Sequence, residues 1–422
     1  MTEIAPSNEL ARHGLFSRIG FSAGGQIVYS LGQLGVLSSL SLMHGAEAAG
    51  MFGFAFAIVT PLFILANLGL RTSQVVDQEG LFKFEEYFGY RAVTTALAFL
   101  VCLIGSVFLI DHPTIRWIVI LYAGAKTFEA VSLLCYATFE RSERFDLVFR
   151  SLLIRSVLTF FVFVGLLFAG APIWVAFFAQ LIVWAVNACL LDIRSVREIL
   201  PPDSRLRPSI SMSRFGSLTW RTFPIGGAGF LSGMQLALLR IIVESQLGLA
   251  ALGIFTNVSY IFHAGAMLAH SVRHVLGARF SKLRVSRNFA ATWRVIFTVF
   301  SLLMATVLIG LAFVQVFGVP LLRILFGPET SEEGRLFLIV AVALGLRLLA
   351  VIPTSLIHAY GGIGKQFLRE FVFLSIIAVF SVPAISIAGL EGAGWMLVVV
   401  SAARLLADGL QVWLRWRRRQ ND

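Results

Sequence analysis

With 422 residues, 58% of them hydrophobic and only 14% charged, the chain holds too few charged groups for a soluble domain, in which roughly a quarter of residues are charged. The mean hydropathy of +0.84 points to a membrane protein, so the net charge of +11 is first assigned to cytoplasm-facing loops rather than to nucleic-acid binding. The apolar runs are about 20 residues long, the length of a helical span and not of an outer-membrane strand.

In chain order, the polar start MTEIAPSNELARHG carries no cleavable signal, and the first apolar run is too long for a signal core. Twelve spans are predicted, at 16–43, 48–70, 88–110, 115–139, 147–169, 171–192, 215–243, 250–276, 290–316, 335–360, 366–388 and 393–414. Segment 194–214, rich in Pro and Arg, divides them into six-helix bundles at 1–193 and 215–422. Cys102, Cys135 and Cys189 fall inside apolar runs without metal-ligand spacing and read as buried apolar residues.

The Lys and Arg residues of the termini and loops divide 24 to 3 between the two sides, with only Arg116, Arg323 and Arg335 on the poorer one. This asymmetry predicts that both termini are cytoplasmic. The larger set includes Arg91 and Arg369 as loop residues. At a constant offset of 203 residues, Arg18, Gly24, Gly45, Gly50, Phe52 and Arg91 match Arg221, Gly227, Gly248, Gly253, Phe255 and Arg294. Six gap-free matches at equivalent points indicate a duplicated unit. Both copies start on the same side, as in a parallel repeat. The expected architecture is all-α integral membrane, with two parallel six-helix bundles around a central cavity.

Seven cations remain inside the spans: Lys126, Arg155, Arg221, Arg240, Arg273, Arg347 and Arg404. A charge at mid-bilayer costs roughly 3 kcal/mol or more, so such residues usually face a cavity or a partner. Arg155, Arg221 and Arg273 are equally compatible with snorkelling to the headgroups. Arg240 with Glu244, Arg404 with Asp408, and Lys126 with Glu129 are spaced for local ion pairs. Arg347 has no acid within a turn and is the strongest candidate for a cavity-facing role. A surplus of arginine suits an anionic, phosphate-bearing guest.

Pro61, Pro224, Pro353 and Pro383 fall inside spans, and glycines cluster in the first span of each half. They fit either bending helices or close packing through small residues. His270 and His274 share a helical face without an acidic ligand, so no metal site is expected, and no cofactor motif is present.

Three stretches carry a family resemblance: GMFGFAFAIVTPLFILANLGLR (50–71), ATFERSERFDLVFRS (137–151) and LLRILFGPET (321–330). With the twelve-span pattern they resemble the polysaccharide-exporter branch of the multidrug/oligosaccharidyl-lipid/polysaccharide exporter (MOP) superfamily. The resemblance implies a Wzx-type flippase of the bacterial inner membrane. It would carry an undecaprenyl-pyrophosphate-linked oligosaccharide across the bilayer for O-antigen or exopolysaccharide synthesis, by alternating access. Lipid II flippases, relatives with two further helices, fit the twelve spans less well.

On that basis Arg18, Lys126, Arg155, Arg221, Arg240, Arg347 and Arg404 are expected to contact the headgroup. Glu129, Glu244 and Asp408 are candidates for H+ or Na+ coupling. The partners implied are membrane lipids and a polysaccharide polymerase or chain-length protein, with no nucleic acid. One alternative is an ion-coupled multidrug or metabolite antiporter of the same fold, which is expected to place uncompensated acids in its spans. Another is a membrane polysaccharide polymerase or ligase, for which the short external loops leave little room.

Overall fold

The computed structural model describes residues 15–77, 81–200, 206–209, 211–286, 289–360 and 366–421, and among them every regular element is helical. Among the described residues, nine helical stretches are long and apolar enough to cross a membrane. Three of them are too long for one crossing: Gly20–Val75, Arg214–Met267 and Gln366–Arg415, with 56, 54 and 50 residues. A straight helix of that size would run about 80 Å through a hydrocarbon layer about 30 Å thick.

The excess length is resolved by a break in each. Helix α1 (Leu15–Asn67) is interrupted at Gly45, with φ 80° and ψ 178°. Helix α8 (Met212–Val285) is interrupted at Gly248, with φ 84° and ψ 178°. Helix α13 (Gln366–Asn421) is interrupted at Gly389. Gly45 and Gly248 are 203 residues apart and have nearly the same dihedral angles, in a region that a side chain disfavours. The duplicated glycine is thus a duplicated turn.

The remaining long helices are α3 (Phe84–Leu109), α4 (Pro113–Arg141), α5 (Phe145–Phe168), α6 (Ile173–Val186), α9 (Phe289–Phe326) and α11 (Gly334–Leu349). Helix α6 runs through a π-turn, Asn187–Asp192, into α7 (Ile193–Ile199). The short α2 (Leu70–Val76), α10 (Pro328–Ser331) and α12 (Val351–Ala359) complete the set.

Contacts group the chain into one unit of Met1–Val36 and Ile58–Phe230, and another of Leu37–Ala57 and Leu231–Asp422. These units cross the linear division at 194–214 in two places. In the first unit, Leu68, Leu70, Phe82, Tyr87, Tyr90, Leu134 and Leu218 form one apolar cluster. Gly226 approaches the backbone of Leu68 so closely that a Cβ there would lie 2.3 Å from the Leu68 Cα. That approach packs the start of α8 against the end of α1.

In the second unit the paired turns meet. A Cβ on Gly50 would lie 1.9 Å from the Leu249 carbonyl oxygen, and one on Gly253 would lie 1.7 Å from that of Ala46. Leu249 and Gly253 are Ala46 and Gly50 shifted by 203. Contact of each copy with the other's equivalent residue is the signature of a twofold relation.

A latch holds this crossing. Glu329 accepts a hydrogen bond from the Ala46 amide (2.9 Å) at the helix start just after Gly45, where the helix dipole favours a carboxylate. Ser41 Oγ donates to the Phe326 carbonyl (2.8 Å), while Asn257 Nδ2 donates to Ser41 Oγ and Thr330 Oγ1, both at 2.9 Å. The stretch 321–330, one of the three that carry the resemblance, therefore supplies the clasp.

Candidate functional site

Each unit buries one cluster of charges. In the first, Lys126 and Glu129 of α4 lie one turn apart and pair at 2.5 Å. Arg155 of α5 reaches the other oxygen of Glu129 at 3.4 Å, and the Tyr29 hydroxyl donates to it at 3.1 Å. Two cations thus share one carboxylate. The difference is spread over aromatic faces: Arg155 lies 5.0 Å from the Tyr29 ring centre and 4.6 Å from that of Trp184, and Lys126 lies 5.5 Å from Tyr122 and 5.7 Å from Trp184. Trp184 is fixed by its Nε1–H, which donates to Thr159 Oγ1 at 3.0 Å. Arg155 is 2% exposed, so it does not snorkel. Among the described residues its Nε and Nη1 have no hydrogen-bond partner, which leaves donor capacity there.

In the second unit the local i,i+4 pair expected between Arg404 and Asp408 is replaced by longer-range ones. Arg404 grips Glu370 through both carboxylate oxygens, Nη2 to Oε2 at 2.6 Å, and its guanidinium lies 4.8 Å from the Phe373 ring centre. Gln235 Nε2 donates to Glu370 Oε2 at 2.9 Å and its Oε1 accepts from Arg404 at 3.3 Å, so it closes the ring. Asp408 pairs instead with Arg369 at 2.7 Å and accepts a hydrogen bond from Thr354 Oγ1. A planar fork meeting a carboxylate twice is geometrically better than the staggered contact available one helical turn away.

Arg347 of α11 makes no hydrogen bond or ion pair among the described residues, and it is only partly buried. The charges of Arg404, Glu370, Arg273 and Asp408 act on it. With Arg369 this neighbourhood holds four guanidinium groups, Arg273, Arg347, Arg369 and Arg404, against the carboxylates of Glu370 and Asp408.

The other expected site residues are placed differently. Arg240 is 2% exposed, donates to Ser259 Oγ at 3.1 Å and stacks 5.0 Å from the Phe56 ring centre. Glu244 is partly exposed and Arg221 is exposed. The side chains of Arg18, His270 and His274 lie outside the described residues. Arg91 is no loop cation: it is 2% exposed and donates to Asn67 Oδ1. Cys102 and Cys135 are buried as expected, but Cys189 is exposed on the outer face of the π-turn. Among the described residues no three His, Cys, Asp or Glu side chains gather as a metal site.

Sequence reasoning missed Glu370, Gln235, Tyr29 and Trp184, and it placed Arg369 in a loop. A signal for Glu370 was present. It shares helical register with Phe373 and Ile377, both buried, so it extends an apolar stripe rather than a loop.

No protein-family model matches the chain. It is 21% identical over 365 residues to the capsular polysaccharide biosynthesis protein CapF of Staphylococcus aureus, which covers 86% of this chain and 90% of that protein. Its fold is similar to that of a multidrug resistance MATE family transporter of the MOP superfamily in an inward-facing conformation, with a TM-score of 0.75, 14% identity, and coverage of 94% of this chain and 96% of that one. It is also similar to the lipid II flippase MurJ in an inward closed conformation, with a TM-score of 0.72, 13% identity, and coverage of 93% and 87%. These solved neighbours are a transporter and a flippase. The chain therefore shares its fold with these transporters and flippases.

Proposed function

We propose that this protein is a flippase for a lipid-linked oligosaccharide, which it moves across the bacterial inner membrane for surface polysaccharide synthesis. The observation that carries this reading is the partly buried guanidinium of Arg347, which makes no ion pair or hydrogen bond among the described residues and has more guanidinium groups than carboxylates around it there. A buried charge without a partner is costly, and it is kept where a ligand of opposite charge arrives. A pyrophosphate linkage matches arginine in both charge and geometry. The similarity to a capsular polysaccharide biosynthesis protein, and the fold shared with a lipid II flippase, point to the same substrate class.

In this reading the three helices broken at Gly45, Gly248 and Gly389 each cross twice, so nine long helices make twelve crossings with both termini cytoplasmic. The two six-helix halves open to one side and then the other. Lys126, Arg155, Arg240, Arg347 and Arg404, with Arg18 and Arg221 nearer the cytoplasm, offer positive charge to the passing headgroup. Glu129, Glu244 and Asp408 remain the proposed coupling acids for H+ or Na+. Glu129 already holds Lys126 and Arg155, and Asp408 holds Arg369; exchange of such a partner is the step by which they would sense an ion.

The fold shared with a MATE transporter favours a second reading, a multidrug antiporter. The two readings divide on charge, since a cationic drug is repelled by the surplus around Arg347. The test is a strain lacking the gene. Loss of a surface polysaccharide with accumulation of its lipid-linked unit on the cytoplasmic side supports the flippase. An intact polysaccharide combined with drug hypersensitivity overturns it.

A further inference from the structure

The charge cluster of the first unit stands on a second polar layer built from the same three helices. Glu129 of α4, Arg155 of α5 and Trp184 of α6 belong to the cluster. About one turn along each helix, toward the Arg141 end of α4, stand Ser132, Ser151 and Asn187. The π-turn that follows α6 adds Asp192 to this layer. In an α-helix, residues five apart point about 140° away from each other. The wider π-turn sets Asn187 and Asp192 on one side, so that Asn187 Nδ2 donates to Asp192 Oδ2 at 3.2 Å and to Ser151 Oγ at 2.9 Å. Ser151 Oγ shares a 2.6 Å hydrogen bond with the Tyr136 hydroxyl, and the hydroxyls of Ser132 and Ser151 also act on the Asp192 carboxyl.

Asp192 is 1% exposed, yet it differs from the other buried acids. Glu129, Glu370 and Asp408 are each held by Lys or Arg. Asp192 makes no ion pair among the described residues, and its hydrogen-bond partners are neutral. A cation stands within reach one turn away. Arg155 follows Ser151 by one turn of α5, and its charge and that of Asp192 act on each other. Arg155 is loosely held where it is. Its Nη2 lies 3.4 Å from Glu129, longer than the roughly 2.7–2.9 Å of a charge-assisted hydrogen bond. Its Nε and Nη1 have no partner among the described residues. One guanidinium thus stands between two carboxylates with donors to spare.

We propose that Asp192 is a proton-binding site, and that its proton decides whether Arg155 pairs with Glu129 or turns to Asp192. The proton comes from solvent and forms an O–H bond with one carboxylate oxygen, which makes Asp192 neutral. Arg155 keeps its own proton throughout. An ionised Asp192 competes with Glu129 for the guanidinium, and a neutral one does not. Asn187 suits both states. Its amide now donates to the carboxylate; turned over, its Oδ1, which has no partner among the described residues, accepts from the carboxyl O–H. The other titratable groups that act with Asp192 are Tyr136 and Cys135 of α4, while Arg194 and Arg197 of α7 are exposed.

The proton also sets the charge of the interior. Lys126 and Arg155 balance Glu129 and Asp192 when both acids are ionised, and one positive charge is in excess when Asp192 is neutral. The inference concerns this switch and does not depend on which cargo is moved.

Trp184 is the reporter, because Arg155 lies 4.6 Å from its ring centre and leaves that face when it turns. The full chain in lipid nanodiscs is titrated from neutral to acid pH, with infrared difference spectra and tryptophan emission recorded together. The Trp184 signal is the difference between wild type and Trp184→Phe. A protonated carboxyl band should appear and Trp184 emission should change with the same midpoint. Asp192→Asn should lose both, with Arg155 fixed on Glu129. Glu129→Gln leaves Arg155 one carboxylate, so at neutral pH its Trp184 emission should lie at the opposite end of the wild-type titration from that of Asp192→Asn.

A band that persists in Asp192→Asn overturns the proton site. A band that depends on Asp192 while Trp184 emission stays constant overturns the switch. Should Asp192→Asn not fold, Asn187→Ala takes its place. It removes a donor to the carboxylate and should move the midpoint, and an unmoved midpoint overturns the proposal.

Discussion

Arg404 and Glu370, 34 residues apart in the same broken helix, grip each other through both ends of the fork, with Nη2 2.6 Å from Oε2. The pair is buried, with side-chain exposures of 9% and 2%, and it is tied to α8 through Gln235. It joins the two arms of α13 on either side of Gly389. Breaking it from one side leaves a buried charge stranded. Arg404→Ala should destabilise the protein by about 3–5 kcal/mol. The double change Arg404→Leu with Glu370→Leu should recover most of that loss, read as a melting temperature in detergent. A single variant as stable as wild type would remove the pair from the scaffold.

Arg347 differs because nothing in the described structure holds it. Arg347→Ala should leave the melting temperature close to wild type, within the roughly 0.5 kcal/mol expected where no partner is lost. Transport should fall by at least tenfold, read as complementation of a deletion strain at matched expression. Arg347→Lys should recover part of the function, since it keeps the charge and loses the fork. Full complementation by the alanine variant would take Arg347 out of the mechanism.

The crossing of the paired turns leaves no room for a methyl group. Gly253→Ala and Gly50→Ala should each force the helices apart and lower stability by about 1–3 kcal/mol, because the obstacle is backbone and not a movable side chain. Gly165→Ala, in a helix with open space around it, should be neutral or stabilising by up to about 1 kcal/mol. Equal melting temperatures for all three variants would contradict the close approach.

Glu329 caps the helix that starts at Ala46. Glu329→Ala should cost about 1 kcal/mol, and Glu329→Gln should cost less because the amide oxygen still accepts the bond. Hydrogen exchange at the Ala46 amide is the direct readout. Its protection should drop in the alanine variant and persist in the glutamine one.

In the first unit, Glu129 pairs with both Lys126 and Arg155. Glu129→Ala should be more damaging to stability than Lys126→Ala, since it leaves two buried cations facing each other while the lysine change leaves the Arg155–Glu129 pair intact. Thermal melts of the two single variants and the double variant decide it. A double variant no worse than Glu129→Ala is the expected result.

Much of the architecture was written in one dimension. Apolar runs of span length, glycines repeated at an offset of 203 and the seven embedded cations can be counted along the chain, and the Lys126–Glu129 pair follows from helical spacing. Bonds made across the bundle could not be read in this way. Arg404 passes over Asp408 for Glu370, and Asp408 takes Arg369, because a bidentate grip depends on where two helices come to lie. Arg91, counted among loop cations, is buried against Asn67 for the same reason.

Hydropathy and charge asymmetry act residue by residue through the solvent, so the sequence by itself determined that the chain enters a membrane, where its helices run and which of its charges are out of place. Tertiary structure alone decided which of those charges is satisfied. Partnership depends on approach between distant helices, and at Gly50 and Gly253 that approach is set by the absence of a single side-chain carbon. Among the described residues it left Arg347 without an ion pair or hydrogen bond, in the neighbourhood of Arg404, Glu370, Arg273 and Asp408.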